Sequence, residues 1–130
     1  MTPLFFATLS QIASICRRLI IVDIRLCDEL FEKISNGTKT VEIFPNDEQM
    51  KHFGVGDTLA IHRESDDEDV ILTSAWSIKK CRTVTELYQR YTPEAIGMTA
   101  GEFSQIYDAD TVKKQGLLAV KMKVLKPNYE

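Results

Sequence analysis

Five short segments of the chain have the residue pattern of β-strands, and this pattern constrains the fold more than any other feature. Successive side chains of a strand point to opposite faces, so alternating apolar residues mark a half-buried strand. The segments are residues 19–24, 39–44, 58–62, 70–81 and 116–125. The predicted helices between them are short, whereas a parallel doubly wound sheet needs long crossover helices. We therefore predict a mainly β, α+β fold: a small, mostly antiparallel barrel of about five or six strands with short helices inserted.

Capping signals set the ends of the predicted helices. The segment 28–35 has apolar residues at helical spacing and ends at Gly37, which can adopt the left-handed conformation. Thr83 and Thr99 each begin a capping-box pattern, and Pro93 suits the first position of a further helical turn. Residues 64–69 hold five acids among six residues, and we expect this run to form a solvated loop.

Composition excludes several classes of protein. The chain has 130 residues, of which 44% are apolar and 27% charged, so it is long enough for one folded domain and too short for a large multidomain enzyme or a channel. Its 16 basic and 19 acidic residues give a net charge of −3. The charge is uneven: residues 1–78 hold 7 basic and 13 acidic side chains (−6), and residues 79–130 hold 9 and 6 (+3). A local basic patch is therefore compatible with an acidic chain.

Cysteine usage predicts free thiols and a cytoplasmic location. The three cysteines are Cys16, Cys27 and Cys81, an odd number with no C-x-x-C spacing. This argues against a disulfide framework and against a cysteine-based zinc site. Neither His52 nor His62 lies in a metal-binding spacing. We expect surface or edge histidines, no metal and no cofactor.

Residues 1–18 are predicted to be an amphipathic helical extension that precedes the domain at 19–130. Its apolar stripe recurs at helical spacing. The stripe residues are Phe5, Leu9, Ile12, Cys16 and Leu19. The segment is too short to cross a bilayer, and its positive charge follows the apolar run, unlike a secretory signal. We expect no membrane role, since its polar face lacks the lysines and arginines that lipid binding favours. The stripe could pack on the domain or form a homodimer through residues 1–18.

The segment 30–42 contains the pattern G-x-K-x-x-E, formed by Gly37, Lys39 and Glu42. With further stretches at 53–59, 85–88, 97–103 and 118–122, it resembles the ASCH domain family of the PUA-like superfamily. The resemblance covers roughly residues 19–126, but Phe44 stands where the family has an arginine. It implies a PUA-like β-barrel with a cleft beside the motif, and binding of RNA or a modified nucleotide.

Some members of that family are hydrolases, and one branch opens the amide of N4-acetylcytidine. That branch resembles K-T-x-T-x-R with a threonine nucleophile and a later glutamate. Lys39 and Thr40 match the pattern, but Glu42 stands at the nucleophile position and Ile96 at the glutamate position. Whether the chain is an enzyme therefore stays uncertain. A hydrolase acting on RNA or on an acylated nucleoside is the alternative to a binding protein, and a dimeric interaction module is a further one.

Lys39 is the strongest candidate for the site, because an ammonium can hold a phosphate, polarise a carbonyl or act as a base. On a regular strand Lys39 and Glu42 would point to opposite faces. Either a bulge or bend near Thr38 brings them together, or Glu42 is a structural carboxylate that accepts main-chain or arginine hydrogen bonds. Catalytic residues are unknown, with Lys39 and Glu42 as candidates. The predicted ligand-binding residues are Gly37, Lys39, Thr40, Glu42, Trp76, Lys79 and Tyr107.

Lysines and arginines cluster on the last two predicted strands and beside them. The cluster consists of Lys79, Lys80, Arg82, Lys113, Lys114, Lys121, Lys123 and Lys126. If the two strands are neighbours, they form a basic stripe, beside which Trp76 and Tyr107 could stack a base. The alternative is an ordinary solvated strand edge, where lysine blocks unwanted pairing.

Overall fold

The computed structural model describes residues 19–125. The predicted N-terminal helix at 1–18 and the terminal residues 126–130 lie outside this range. The described elements, in chain order, are β1 (Ile21–Leu26), α1 (Asp28–Ser35), β2 (Val41–Pro45), a 3-10 turn (Glu48–Met50), β3 (Thr58–Arg63), β4 (Asp66–Cys81), α2 (Val84–Arg90), α3 (Pro93–Ile96), α4 (Ala100–Ile106), α5 (Ala109–Gln115) and β5 (Leu117–Val124). None of the helices within 19–125 has the length and apolar character needed to cross a membrane.

The strands form one sheet in the order β1-β3-β4-β5-β2. β1 pairs with β3 in parallel, and the other three pairings are antiparallel. The two edge strands, β1 and β2, do not pair with each other, so the sheet is a half-barrel. The predicted mainly β, α+β architecture with short inserted helices is confirmed.

Two apolar cores lie on opposite faces of the sheet. The first, which we call the inner core, contains Phe31 of α1 and Val120 of β5. The second contains Phe103 of α4 and Ala119 of β5. Neighbouring β5 residues thus belong to different cores, as expected where a strand is covered on both faces. The helices α2–α5 pack over the second core, which covers the outer face only around β2 and β5.

The acidic run at 64–69 does not form the expected loop. A tight turn occupies positions 64 and 65, and the following acids lie within β4. Arg25 binds Asp67 with an N–O distance of 2.6 Å, and Arg63 binds Asp69 at 2.9 Å. The loop prediction was wrong because it counted the repulsion between the acids and omitted Arg25 of β1 and Arg63 of β3, which pair with them.

The capped helices were predicted well. Thr83, Thr92 and Thr99 each accept a hydrogen bond from the main chain at the start of a helix. Thr99 and Glu102 form the complete reciprocal capping box. The sequence reading missed α5, which Asp108 caps by accepting a hydrogen bond from Thr111 N.

Candidate functional site

Lys39 lies in a sharp corner before β2 and not on the strand itself. β2 begins at Val41, two residues later than predicted. Hydrogen bonds hold the corner on three sides: Lys39 N donates to Lys33 O at 2.9 Å, Thr40 N donates to Ala95 O at 2.9 Å, and Thr40 O accepts from Met122 N at 2.8 Å. The backbone of residues 39–40 therefore bonds to α1 and α3, and it also bonds to β5, where Thr40 continues the register of the β2–β5 pairing. The chain bends at Thr38, and Lys39 and Glu42 come together in space, so the predicted bend is confirmed.

The ammonium of Lys39 is buried, and the residue is only 2% exposed. Nζ donates to Val41 O at 2.7 Å and to Ile96 O. A third acceptor, Glu42 Oε1, lies 3.5 Å away. Burial lowers the pKa of Lys39, since it disfavours the charged form, and the nearby Glu42 carboxylate offsets this in part.

Gly97 makes room for the aliphatic stem of Lys39. It ends α3 in the left-handed conformation, with φ of +94°. A Cβ on Gly97 would lie 2.9 Å from Lys39 Cδ and 3.1 Å from a methyl group of Leu30. The glycine thus serves two purposes: it permits the backbone turn and it allows the lysine to reach the carbonyl of Ile96.

Glu42 has one satisfied and one unsatisfied oxygen. Oε1 accepts from Ile43 N at 2.9 Å and faces the Lys39 ammonium. Oε2 is buried and has no hydrogen-bond partner within residues 19–125. Both predicted roles of Glu42 therefore occur together: it meets Lys39 and it accepts a main-chain N–H. The unpaired Oε2 is a buried acceptor with the capacity to bind a donor, and such groups are costly when left alone.

A cleft of about 170 Å³ opens beside this pair. It is lined by Leu26, Leu30, Lys39, Glu42, Ile43, Ile96, Met98, Phe103, Ile106 and Tyr107. The lining is apolar and aromatic apart from the Lys39–Glu42 pair and the Tyr107 hydroxyl. We call this cavity the Glu42 cleft.

Tyr107 forms one aromatic wall of the Glu42 cleft. Its ring stacks on Phe103, with the centroids 4.7 Å apart and an interplanar angle of 23°. Its hydroxyl donates to Ile43 O at 3.3 Å. Burial raises the pKa of Tyr107, and the negative charges of Glu42 and Asp47 raise it further. The phenol is thus kept neutral and held in place.

The other predicted ligand-binding residues lie elsewhere. Gly37 and Thr40 line a neighbouring cavity of about 370 Å³, which Lys39 also lines. Trp76 sits at a bulge of β4 and is 59% exposed, with Lys123 Nζ 4.8 Å from its ring centroid. Neither Trp76 nor Lys79 lines the Glu42 cleft. Their predicted role in ligand binding stays a prediction.

β4 and β5 are neighbours, as the basic stripe requires. Their register pairs Lys121 with Ser77 and Lys123 with Ser74. Lys79 pairs with Ala119 and so lies on the same face as those two lysines. The geometry brings these cations together on the outer face, apart from Tyr107.

The sequence reading missed the cleft residues contributed by the segment 96–106. The main-chain carbonyl of Ile96, not a side chain, accepts from Lys39. Met98 and Ile106 complete the apolar lining. One signal in the sequence could have found this segment. Gly97 follows a short capped helix, and a glycine there indicates that another group packs closely against the main chain. Phe44 packs against the inner core and does not line the cleft.

No known protein family and no curated protein matches the sequence. Similar solved structures exist. The crystal structure of hypothetical protein PH0355 has a TM-score of 0.67 at 20% identity, covering 82% of this chain and 100% of that one. The solution structure of PF0455 from Pyrococcus furiosus has a TM-score of 0.62 at 19% identity, covering 83% and 100%. The crystal structure of a serine-to-alanine mutant of ZmASCH from Zymomonas mobilis has a TM-score of 0.63 at 17% identity, covering 79% and 67%. The chain therefore has an ASCH-type, PUA-like fold.

Proposed function

We propose that this chain is an RNA- or nucleotide-binding protein that holds a base in the Glu42 cleft. The observation that carries the proposal is the unpaired, buried Oε2 of Glu42, a residue that lines a cleft with an aromatic wall. The similarity in fold to an ASCH protein supports it. Cys27 and Cys81 are free thiols, which supports a reducing, cytoplasmic setting.

The chemistry of the cleft favours a base edge over a phosphate. A phosphate in the cleft would be repelled by the Glu42 carboxylate, and it would need hydrogen-bond donors to hold its oxygens. The Lys39 ammonium already donates to two main-chain carbonyls and faces Glu42 Oε1. The free group is an acceptor, so the ligand must present a hydrogen-bond donor, and the N–H groups on a base edge supply one. Cytosine, adenine and guanine each offer an amino group, and a carboxylate is a known partner for the amino group of cytosine.

Tyr107 supplies the second element of base recognition. An unstacked base that enters the cleft meets the ring of Tyr107 and the apolar side chains of Met98 and Ile106. Stacking on an aromatic side chain contributes about 1–3 kcal/mol per base, and a hydrogen bond to a charged acceptor about 1.5–3 kcal/mol. Both contributions depend little on phosphate charge, so binding of a nucleoside through them should persist at high salt.

Binding of free nucleosides to the full chain tests the proposal. Calorimetry or NMR titration with cytidine, adenosine, guanosine and uridine should show binding that Glu42→Gln weakens about tenfold, which corresponds to one hydrogen bond to a charged group. Glu48→Gln is the matched control, because Glu48 is exposed in the 3-10 turn. Absence of nucleoside binding, or equal affinity in Glu42→Gln, would contradict the proposal.

Hydrolysis is the second candidate, and the lowered pKa of Lys39 beside a carboxylate favours it. A cleft that accepts the edge of cytosine could also accept its N4-acetylated form. Incubation with N4-acetylcytidine and with short RNAs, followed by mass spectrometry, distinguishes the two functions. Turnover that is lost in Glu42→Gln and kept in Glu48→Gln would make the chain an enzyme. Binding without turnover would leave the binding function alone.

A further inference from the structure

An apolar patch on the outer face of the sheet has no cover among residues 19–125. We define this outer-face patch by Ile21, Leu72, Trp76 and Leu125, which are 62%, 49%, 59% and 50% exposed. The helices α2–α5 pack over a different part of that face. Contiguous exposed apolar surface usually marks an interaction site.

The strand register places the members of the patch on one face. Ile21 pairs with Thr58, which pairs with Ser74, which pairs with Lys123. Paired residues share a face, and so do residues two apart along a strand. Leu72 and Leu125 lie two residues beyond Ser74 and Lys123, and Leu125 N donates to Leu72 O at 2.9 Å. Trp76 lies under the Lys123 ammonium and so belongs to the same face.

The N-terminal segment joins the domain at the edge of this patch. Ile20 is fixed there, because its N–H donates to Asp57 Oδ1 at 3.1 Å and its carbonyl accepts from Thr58 N at 3.0 Å. Ile21, the next residue, is itself a member of the outer-face patch. The described chain that follows residues 1–18 is therefore held directly beside the uncovered surface.

We propose that residues 1–18 lie as a helix across the outer-face patch of their own chain. The match is chemical, since residues 1–16 carry no charged side chain and include a predicted stripe of Phe5, Leu9 and Ile12. The uncharged apolar stripe suits the exposed apolar side chains of the patch, beside which the Lys123 ammonium lies over the ring of Trp76. Docking would remove both apolar surfaces from water.

The segment is long enough to cover the patch. A helix of about 15 residues is about 22 Å long. The patch extends from β1 to β5, which are three strand spacings apart in the sheet order, or about 14 Å. The direct tether gives the segment an effective concentration of roughly millimolar at its own patch. This favours docking within one chain over pairing with a second copy.

The single tryptophan of the chain, Trp76, reports directly on this docking. Acrylamide quenching and the emission maximum are measured on the full chain and on two single variants. Leu9→Glu places a charge on the predicted stripe. Ser14→Glu places the same charge on the face of the predicted helix opposite the stripe, and it is the matched control. We expect Leu9→Glu to increase quenching and to shift emission to longer wavelength, with no change in Ser14→Glu.

NMR on the unmodified chain supplies a test that needs no substitution. We expect nuclear Overhauser contacts between the indole of Trp76 and the side chains of Phe5, Leu9 or Ile12, at any protein concentration. The proposal is overturned if these contacts are absent, or if Leu9→Glu quenches like the parent chain. Contacts that fade on dilution, with a dimer mass at high concentration, would also overturn it and identify a second copy as the occupant. Shielding of Trp76 only after addition of RNA would identify RNA instead.

Discussion

Replacement of Lys39 by methionine should strongly destabilise the domain. Methionine keeps the length and the apolar stem of the side chain but removes the charge. The Glu42 carboxylate then has no cation beside it, and the carbonyls of Val41 and Ile96 each lose a donor. Loss of one partner from a buried ion pair costs about 3–5 kcal/mol. This is a large share of the roughly 5–15 kcal/mol that holds a typical domain folded.

Urea unfolding followed by far-UV circular dichroism measures this loss, with Lys51→Met as the matched control. Lys51 and Glu48 form a pair with the same residue types and the same spacing of three, but both side chains are mostly exposed and the N–O distance is 3.9 Å. An exposed pair of this kind contributes about 0–1 kcal/mol. A Lys39→Met loss within about 1 kcal/mol of the Lys51→Met loss would refute the reasoning.

The double variant Lys39→Met with Glu42→Gln separates the two causes of the destabilisation. Removal of the Glu42 charge should recover at least about 1 kcal/mol relative to Lys39→Met alone, because the unpaired carboxylate is no longer buried. The loss of unfolding free energy that remains in the double variant is the cost of leaving the carbonyls of Val41 and Ile96 without a donor, about 1–3 kcal/mol for each. No recovery would show that Glu42 is not held by Lys39.

Three further perturbations have defined outcomes. Gly97→Ala should lower the free energy of unfolding in urea by about 1–3 kcal/mol, because the added Cβ strains the backbone and overlaps Lys39. The loss should exceed that of Gly56→Ala, since φ at Gly56 is also positive but no atom lies within 4 Å of an added Cβ. Equal losses in the two variants would exclude the overlap with Lys39. Hydrogen bonds to the main-chain carbonyl of Asp67 and to the Asp23 carboxylate raise the pKa of His62. The protonated imidazole therefore stabilises the folded state fully below pH 6.5, and this stabilisation is lost as pH rises through the raised pKa. Asp23→Asn should lower that pKa in an NMR titration, and an unchanged value would exclude the contact. Burial raises the pKa of Tyr88 to about 12, so the free energy of unfolding should fall between pH 10 and 12, where the unfolded chain loses the phenol proton first. A spectroscopic phenolate titration of Tyr88→Phe should lack the highest step seen in the parent chain. A single step near pH 10 in the parent chain would contradict this.

The fold was predictable because its signals are local. Alternation of apolar residues located β3 and β5 to within one residue at each end. Threonine caps located α2 and α4. These patterns depend on the two-residue alternation of side chains along a strand and on the capping residue before a helix, and both can be read from neighbouring residues in the sequence. The parallel pairing of β1 with β3 needed the tertiary structure.

The site was only partly predictable because its partners are distant in sequence. The motif named Lys39 and Glu42, and the structure places Lys39 Nζ 3.5 Å from Glu42 Oε1. That Lys39 would donate to the carbonyl of Ile96, 57 residues away, has no side-chain signature. The strand prediction also placed Lys39 on β2, because Val41 and Ile43 extend an alternating pattern that the corner at 39–40 interrupts. A hydrogen bond to the main chain of another element overrode the local pattern.

A crystal structure of the full chain with a bound nucleoside tests the central claim most directly. We expect cytidine, adenosine or guanosine in the Glu42 cleft, with an N–H of the base donating to Glu42 Oε2 and the base against the ring of Tyr107. A nucleoside bound through its ribose at another surface, with Oε2 still unpaired, would contradict the claim.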